Sequence, residues 1–90
     1  MDDDDPYRRV AAKARLWPDP PPRTDEQLSR AAILRHLTSS TTWRVTAEVE
    51  TRVGFSVELV RHSDAARAWL HYYHVIDELY RLVRWEASPL

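Results

Sequence analysis

Apolar and polar residues alternate with a period of two in the middle of the chain. The alternation runs from Trp43 to Val49 and resumes from Val53 to Leu59. A period of two in a stretch rich in Val and Thr is typical of a strand with one buried face. The pattern therefore predicts a β-hairpin in which Val49 faces Val53 and Trp43 faces Leu59.

Helical spacing predicts one helix on each side of this hairpin. Before it, the apolar residues of Leu28–Leu37 recur mostly at three- and four-residue steps, behind a capping-box spacing in Thr24–Gln27. After it, the pair Ser63-Asp64 supplies good N-cap residues. The stripe that follows also steps by three and four and consists of Ala66, Trp69, Tyr73, Ile76, Tyr80 and Val83.

These elements predict a small α+β domain with the order helix, β-hairpin, helix (αββα), preceded by an arm. The predicted bounds are helix 25–37, strand 42–50, strand 52–61 and helix 64–84, in a domain that covers residues 24–90. A lone hairpin is unstable in water, so both helices are expected to cover one of its faces. Residues 1–23 form a proline-rich arm with five of the six prolines.

The middle of the chain also allows a winged helix-turn-helix fold. Residues 46–61 resemble the helix-turn-helix of winged-helix regulators, with Thr46 as a helix cap, Gly54 in the turn and Phe55 packed beneath it. The resemblance implies a DNA-binding transcriptional regulator. The residues that it would direct to DNA are Ser56, Glu58, Arg61 and His62.

Composition limits the classes of function. The chain has 90 residues, a net charge of −1 and no cysteine. A chain this short forms at most one small domain. Its charge balance does not favour nucleic-acid binding by bulk charge, and it has no disulfide or thiol chemistry. No apolar run approaches the ~20 residues that span a bilayer. We expect no membrane contact and a cytoplasmic protein, or a virion-associated one if a phage encodes it.

Candidate chemistry is sparse. Gly54 is the only glycine, and the sequence has no nucleophile elbow or phosphate loop. We therefore predict no catalytic residue, no cofactor and no enzymatic activity. His71 and His74 stand three positions apart and would lie near one face of the predicted helix, which makes them candidate metal ligands. The simpler interpretation is a polar flank beside the apolar stripe.

The remaining signals favour binding to protein. The arm has aromatic and apolar residues that lower solubility when left free, so we expect it to dock on its own domain or on a partner. Its docking residues are Tyr7, Arg8, Arg9, Leu16 and Trp17. The heptad spacing of helix 64–84 allows a seam with a second chain. The predicted interface residues are Trp69, Tyr73, Ile76, Leu79, Tyr80 and Val83.

The sequence thus predicts a non-enzymatic protein-binding or adaptor module, of the kind found among small bacterial or phage accessory proteins. Its partner is another protein or a second copy of the chain, and a homodimer is expected. Nucleic acid is a partner only under the winged-helix interpretation.

Overall fold

A computed structural model of the chain describes residues 20–24 and 26–88. They form a curled antiparallel sheet of five strands, which is half of a barrel, with one short helix. The strand order is β1-β5-β4-β3-β2, so β2 to β5 follow one another as hairpins. In chain order the elements are β1 (Leu28–Ser29), α1 (Arg30–Thr38), β2 (Trp43–Glu50), β3 (Gly54–Arg61), β4 (Arg67–Ile76) and β5 (Leu79–Ser88).

The predicted helix–hairpin–helix fold and the winged-helix alternative are both wrong. Residues 46–61 lie in two paired strands, so the recognition helix of a DNA-binding domain does not form. Residues 64–84 lie mainly in β4 and β5 rather than in a helix. This segment is rich in aromatic and β-branched residues, which suit a pleated sheet. Its buried residues also follow a period of two at first, namely Ala66, Ala68, Leu70 and Tyr72.

The predicted hairpin is confirmed in the direction of pairing and wrong in register. β2 and β3 are antiparallel, but Val49 lies opposite Ser56. A bulge between Val45 and Ala47 shifts the register by one residue and reverses the faces that later side chains of β2 occupy. Trp43 and Val45 therefore pack in or against the core, whereas Val49 is 46% exposed.

The core lies on one face of the sheet, which we call the inner face. Side chains that are opposite one another on β3, β4 and β5 point to the same side and form rows. The helix adds Ile33 and Leu37, which are fully buried. The three inner rows are Phe55–Tyr72–Leu82, Val57–Leu70–Trp85 and Leu59–Ala68–Ala87. The residues between these rows define the outer face.

Helix α1 begins at Arg30 rather than at residue 25. The Ser29 hydroxyl caps it by accepting a hydrogen bond from the Ala32 backbone N–H at 3.2 Å. Leu28 pairs with Tyr80, so the chain before Ser29 is drawn into the sheet instead of the helix. With 9 residues α1 is far too short to cross a membrane, and the part of the chain that the structure describes has no longer helix.

Arg30 fastens α1 to the sheet. Its guanidinium donates to Glu48 at 2.5 Å and to Glu50 at 2.8 Å, and it lies 4.6 Å from the centroid of the Phe55 ring. Both carboxylates follow the bulge in β2, which turns them to the helix side of the sheet. The bond to Glu50, together with that to Glu48, raises the pKa of Arg30.

Gly54 is the point where β3 and β4 come close together. A Cβ atom on Gly54 would lie 2.0 Å from the backbone oxygen of Tyr72 and 3.1 Å from the Cα of Tyr73. These atoms belong to the main chain of β4, so they cannot move aside as a flexible side chain could. The position requires glycine for reasons of space, since its φ is not positive.

We predict that Gly54→Ala lowers the free energy of unfolding by about 2 kcal/mol or more, because the two strands must separate to admit a methyl group. Urea denaturation followed by circular dichroism measures this change. Arg52→Ala, in the exposed turn beside it, is the matched control and should stay within about 0.5 kcal/mol of the original chain. An unchanged midpoint for Gly54→Ala would contradict the close approach.

An ion pair closes the turn between β3 and β4. Arg61 donates to both carboxylate oxygens of Asp64, at 2.8 and 2.5 Å, and Asp64 accepts from the Ala66 backbone N–H at 3.1 Å. These hydrogen bonds, that from Arg61 first, lower the pKa of Asp64 from 3.8 to about 2. Ala65, between these partners, adopts a φ of 62°.

The lowered pKa of Asp64 predicts a pH-dependent contribution to stability. The contribution is complete above the unfolded pKa of 3.8 and is lost as the pH falls toward the folded value of about 2. The chain should therefore have a higher Tm than Asp64→Asn at pH 5, and this difference should shrink by pH 2. Thermal scans of both proteins at half-unit steps measure it. A difference that stays constant over this interval would show that the Asp64 carboxylate does not titrate as described.

Candidate functional site

The outer face carries a pocket of about 270 Å³ beside the turn between β2 and β3. It lies over β3, β4 and β5 and has both polar and apolar walls. The residues that line it are Thr51, Val53, Ser56, His71, Tyr72, Tyr73, Val83 and Arg84.

A chain of polar contacts crosses the sheet at this pocket. The Ser56 hydroxyl lies 2.7 Å from Nδ1 of His71, and Nε2 of His71 lies 3.4 Å from Glu86. The other oxygen of Glu86 lies 3.3 Å from Arg84. The register explains the arrangement, because Ser56, His71 and Arg84 stand directly opposite one another on three adjacent strands. Glu86 is the diagonal neighbour of His71, within reach of a long side chain.

The order serine, histidine, carboxylate is that of a nucleophilic triad, but the surroundings do not support acyl transfer. Ser56 is only 6% exposed and lies inside a strand that is paired on both sides. The backbone N–H groups around it belong to the sheet, so they are not arranged as an oxyanion hole. We interpret the contacts as a cross-strand polar network that orients His71 and Arg84 at the pocket.

His71 and His74 do not face one another. His71 points to the outer face, where it contacts Ser56. The His74 ring packs edge-on against Tyr80 with centroids 5.4 Å apart, and its Nε2 contacts the Asp77 carbonyl oxygen. Residues three positions apart on a strand point to opposite faces, so the helical argument for a shared metal ion does not apply. Within the described residues no three His, Cys, Asp or Glu side chains are grouped to hold a metal.

The predicted interface residues do not share one surface, because they lie on two strands instead of one helix. Tyr80 packs edge-on against Phe55, with ring centroids 5.0 Å apart, and so belongs to the core side. Val83 is 7% exposed, and Trp69 and Leu79 are half-buried. The two other members of the set, Tyr73 and Ile76, are largely exposed.

Five large apolar side chains are exposed near one end of the sheet, and we call them the apolar patch. The Val53 carbonyl accepts from the His74 backbone N–H at 2.8 Å, and Gly54 pairs with Tyr73. The turn after β2 therefore lies against the end of β4, and the patch and the pocket share Val53 and Tyr73. Its members are Val49, Val53, Tyr73, Val75 and Ile76, between 42% and 56% exposed. Grouped apolar exposure of this kind marks interaction surfaces.

The residues assigned to DNA under the winged-helix interpretation lie on β3 and in the turn after it. Ser56 belongs to the polar network, and Glu58 accepts from the Thr46 hydroxyl at 2.9 Å. Arg61 is held by Asp64, and His62 is exposed in the turn. No helix carries them, so the recognition helix that the winged-helix interpretation requires is not formed by these residues.

The residues predicted to dock the arm, Tyr7, Arg8, Arg9, Leu16 and Trp17, lie outside the described residues. The described chain begins at Pro20. Pro21 and Thr24, which follow it, are buried, so the segment that leads into β1 is held against the fold.

Sequence reasoning missed the pocket and gave other roles to four of its residues, namely Ser56, His71, Tyr73 and Val83. Ser56 and His71 are 15 positions apart, and a separation of this length does not indicate from the sequence that two residues are in contact. The signal that could have found them is the alternation in 67–73, which, taken as a strand, puts His71 on the face opposite the core.

The chain matches no protein-family model, no curated protein and no solved structure.

We predict that Ser56 and His71 stabilise the fold as a pair. A double-mutant cycle with Ser56→Ala, His71→Ala and the double variant should give a coupling free energy of about 1 kcal/mol, as for a partly buried hydrogen bond. The matched control is the cycle of Ser56→Ala with His62→Ala, since His62 is exposed in a turn and should show no coupling. Equal values for the two cycles would exclude the Ser56–His71 bond.

Proposed function

We propose that the protein is a non-enzymatic protein-binding module that acts as a homodimer through the apolar patch. The observation that carries the proposal is the grouping of five exposed apolar side chains where the turn after β2 lies against the end of β4. Covering such a group removes apolar surface from water, which is the main driving force of association.

A second copy of the chain fits the charges at the borders of the patch. Arg52 precedes Val53 in one turn, and Asp77 and Glu78 follow Ile76 in the other, all of them exposed. A two-fold rotation about the middle of the patch brings the basic border of one copy to the acidic border of its partner. An apolar centre with borders of opposite sign is thus complementary to itself, as a C2 interface requires.

The small size of the patch sets the expected strength. Interfaces well below the standard size are weak, and we expect a Kd on the order of 10 μM. The apolar contacts supply the affinity, and the exposed charges determine the orientation of the two copies. In the proposed dimer, the outer-face pocket of each copy lies at the rim of the interface, because the pocket shares Val53 and Tyr73 with the patch.

We predict that Ile76→Asp abolishes the dimer and leaves the fold intact, since Ile76 is 56% exposed and its new charge would be buried between copies. Sedimentation velocity across the micromolar range measures the mass. Thr41→Asp adds the same charge to an exposed loop away from the patch and is the matched control. A monomeric original chain throughout the range would overturn the proposal.

The border charges allow a sharper test of the same interface. Arg52→Glu and Glu78→Arg should each weaken self-association, because each places like charges opposite one another. An equimolar mixture of the two variants should restore the dimer, since both border contacts then pair opposite charges. Failure of the mixture, with a dimeric original chain, would show that the copies meet in another orientation.

A further inference from the structure

We propose that the pocket on the outer face is a carboxylate-binding site, and that its ligand is the acidic run Asp2–Asp5 of the same chain. This inference concerns the pocket and does not require the dimer proposed above.

The chemistry of the pocket favours an anion. The lining side chains that can donate a hydrogen bond include Thr51, Ser56, His71 and Arg84. No acidic side chain is among its lining residues, and the carboxylate of Glu86 contacts His71 and Arg84 from beside the pocket. The rest of the lining consists of Val53, Tyr72, Tyr73 and Val83. A carboxylate, which only accepts hydrogen bonds, matches this set of donors.

Arg84 is held less firmly than other arginines of the fold. Arg30 and Arg61 contact carboxylate oxygens at 2.5 to 2.8 Å. Arg84 contacts Glu86 at 3.3 Å, and both side chains are about half exposed. Hydrogen bonds between ions of opposite charge are usually about 2.7–2.9 Å long, so this contact is a loose one. Arg84 can therefore turn to a second carboxylate without leaving a buried charge unpaired.

The acidic run supplies the matching charge. Asp2–Asp5 places four carboxylates in succession, whereas residues 20–90 carry nine arginines and nine acidic residues and so have no net charge. A run of this kind is attracted to the loosely paired Arg84 rather than to the domain as a whole.

The chain between the run and the described fold is long enough. An extended chain spans up to about 3.3 Å per residue, so the 15 steps from Asp5 to Pro20 reach about 50 Å. The longest dimension of the fold is 37 Å. The acidic run can therefore reach the outer face from wherever the arm leaves the sheet.

The absence of cysteine makes a direct test simple. Pro6→Cys, directly after the acidic run, receives a nitroxide spin label on the full-length chain. The amide signals of the ¹⁵N-labelled protein then report which residues lie near the label. We expect Ser56, His71, Tyr73 and Arg84 to lose more than half of their signal intensity. Replacing all four residues of Asp2–Asp5 by Asn should restore these signals, and so should high salt.

Variants of the pocket test the ligand assignment. Arg84→Gln should abolish the broadening, and Arg67→Gln, a change of another exposed arginine on the outer face, is the matched control and should leave it unchanged. Glu86→Gln removes the competing carboxylate and should increase the broadening. Each spectrum also serves as a check that the variant is folded.

Three outcomes would overturn the proposal. The first is no broadening at the pocket, and the second is broadening that Arg84→Gln leaves unchanged. The third is broadening in a mixture of two chains, one with the nitroxide but without ¹⁵N and the other with ¹⁵N but without the nitroxide. In that mixture only a second copy can bring the nitroxide to the pocket. Repeating the measurement in Ile76→Asp separates this result from the dimer, since that variant is expected to be monomeric.

Discussion

The close approach of β3 and β4 at Gly54 is the constraint on which both faces of the sheet depend. It belongs to a register without irregularity along β3, in which Phe55 opposes Tyr72 and Ser56 opposes His71. The first pair stacks in the core with ring centroids 5.0 Å apart, and the second forms the bond at the pocket. A shift of one residue would send the rings to the outer face and the polar pair to the core. Stability and the candidate site therefore have one determinant in common.

The register of β2 is irregular, unlike that of β3 with β4. The bulge in β2 moves the side chains that follow it to the opposite face of the sheet. Before it, Trp43 and Val45 pack with the core, and after it Glu48 and Glu50 occupy the helix side. Two carboxylates close together would repel one another, and Arg30 contacts both of them while lying on the Phe55 ring. The same reversal exposes Val49 as a member of the apolar patch. Val49 is therefore exposed on the outer face, with the rest of the patch, instead of being buried in the core.

The sequence predicted the direction of the first hairpin and most of α1, and it failed where faces change within a strand. In β2 the apolar alternation continues from Trp43 to Val49 although the bulge reverses the faces, so the register could not be read from the pattern. The apolar residues of 64–84 fit a helical stripe because irregularities in β4 and β5 break the period of two. The turn at Asp77 and Glu78 contains neither Gly nor Pro, and Asp77 adopts a φ of 50°, which Asp tolerates better than most residues. The pocket depended on contacts between strands and could not be predicted before their register was known.

Among the described strands β2 borders β3 alone, so one side of it faces away from the sheet. The outermost strand of a sheet is a template on which further strands add, and chains that grow in this way form open filaments. The bulge interrupts the regular backbone of that template, and Arg44, Glu48 and Glu50 add charge along it. Growth by strand addition is thereby disfavoured. The irregularity that exposes Val49 thus also makes the free edge of β2 a poorer template for fibres.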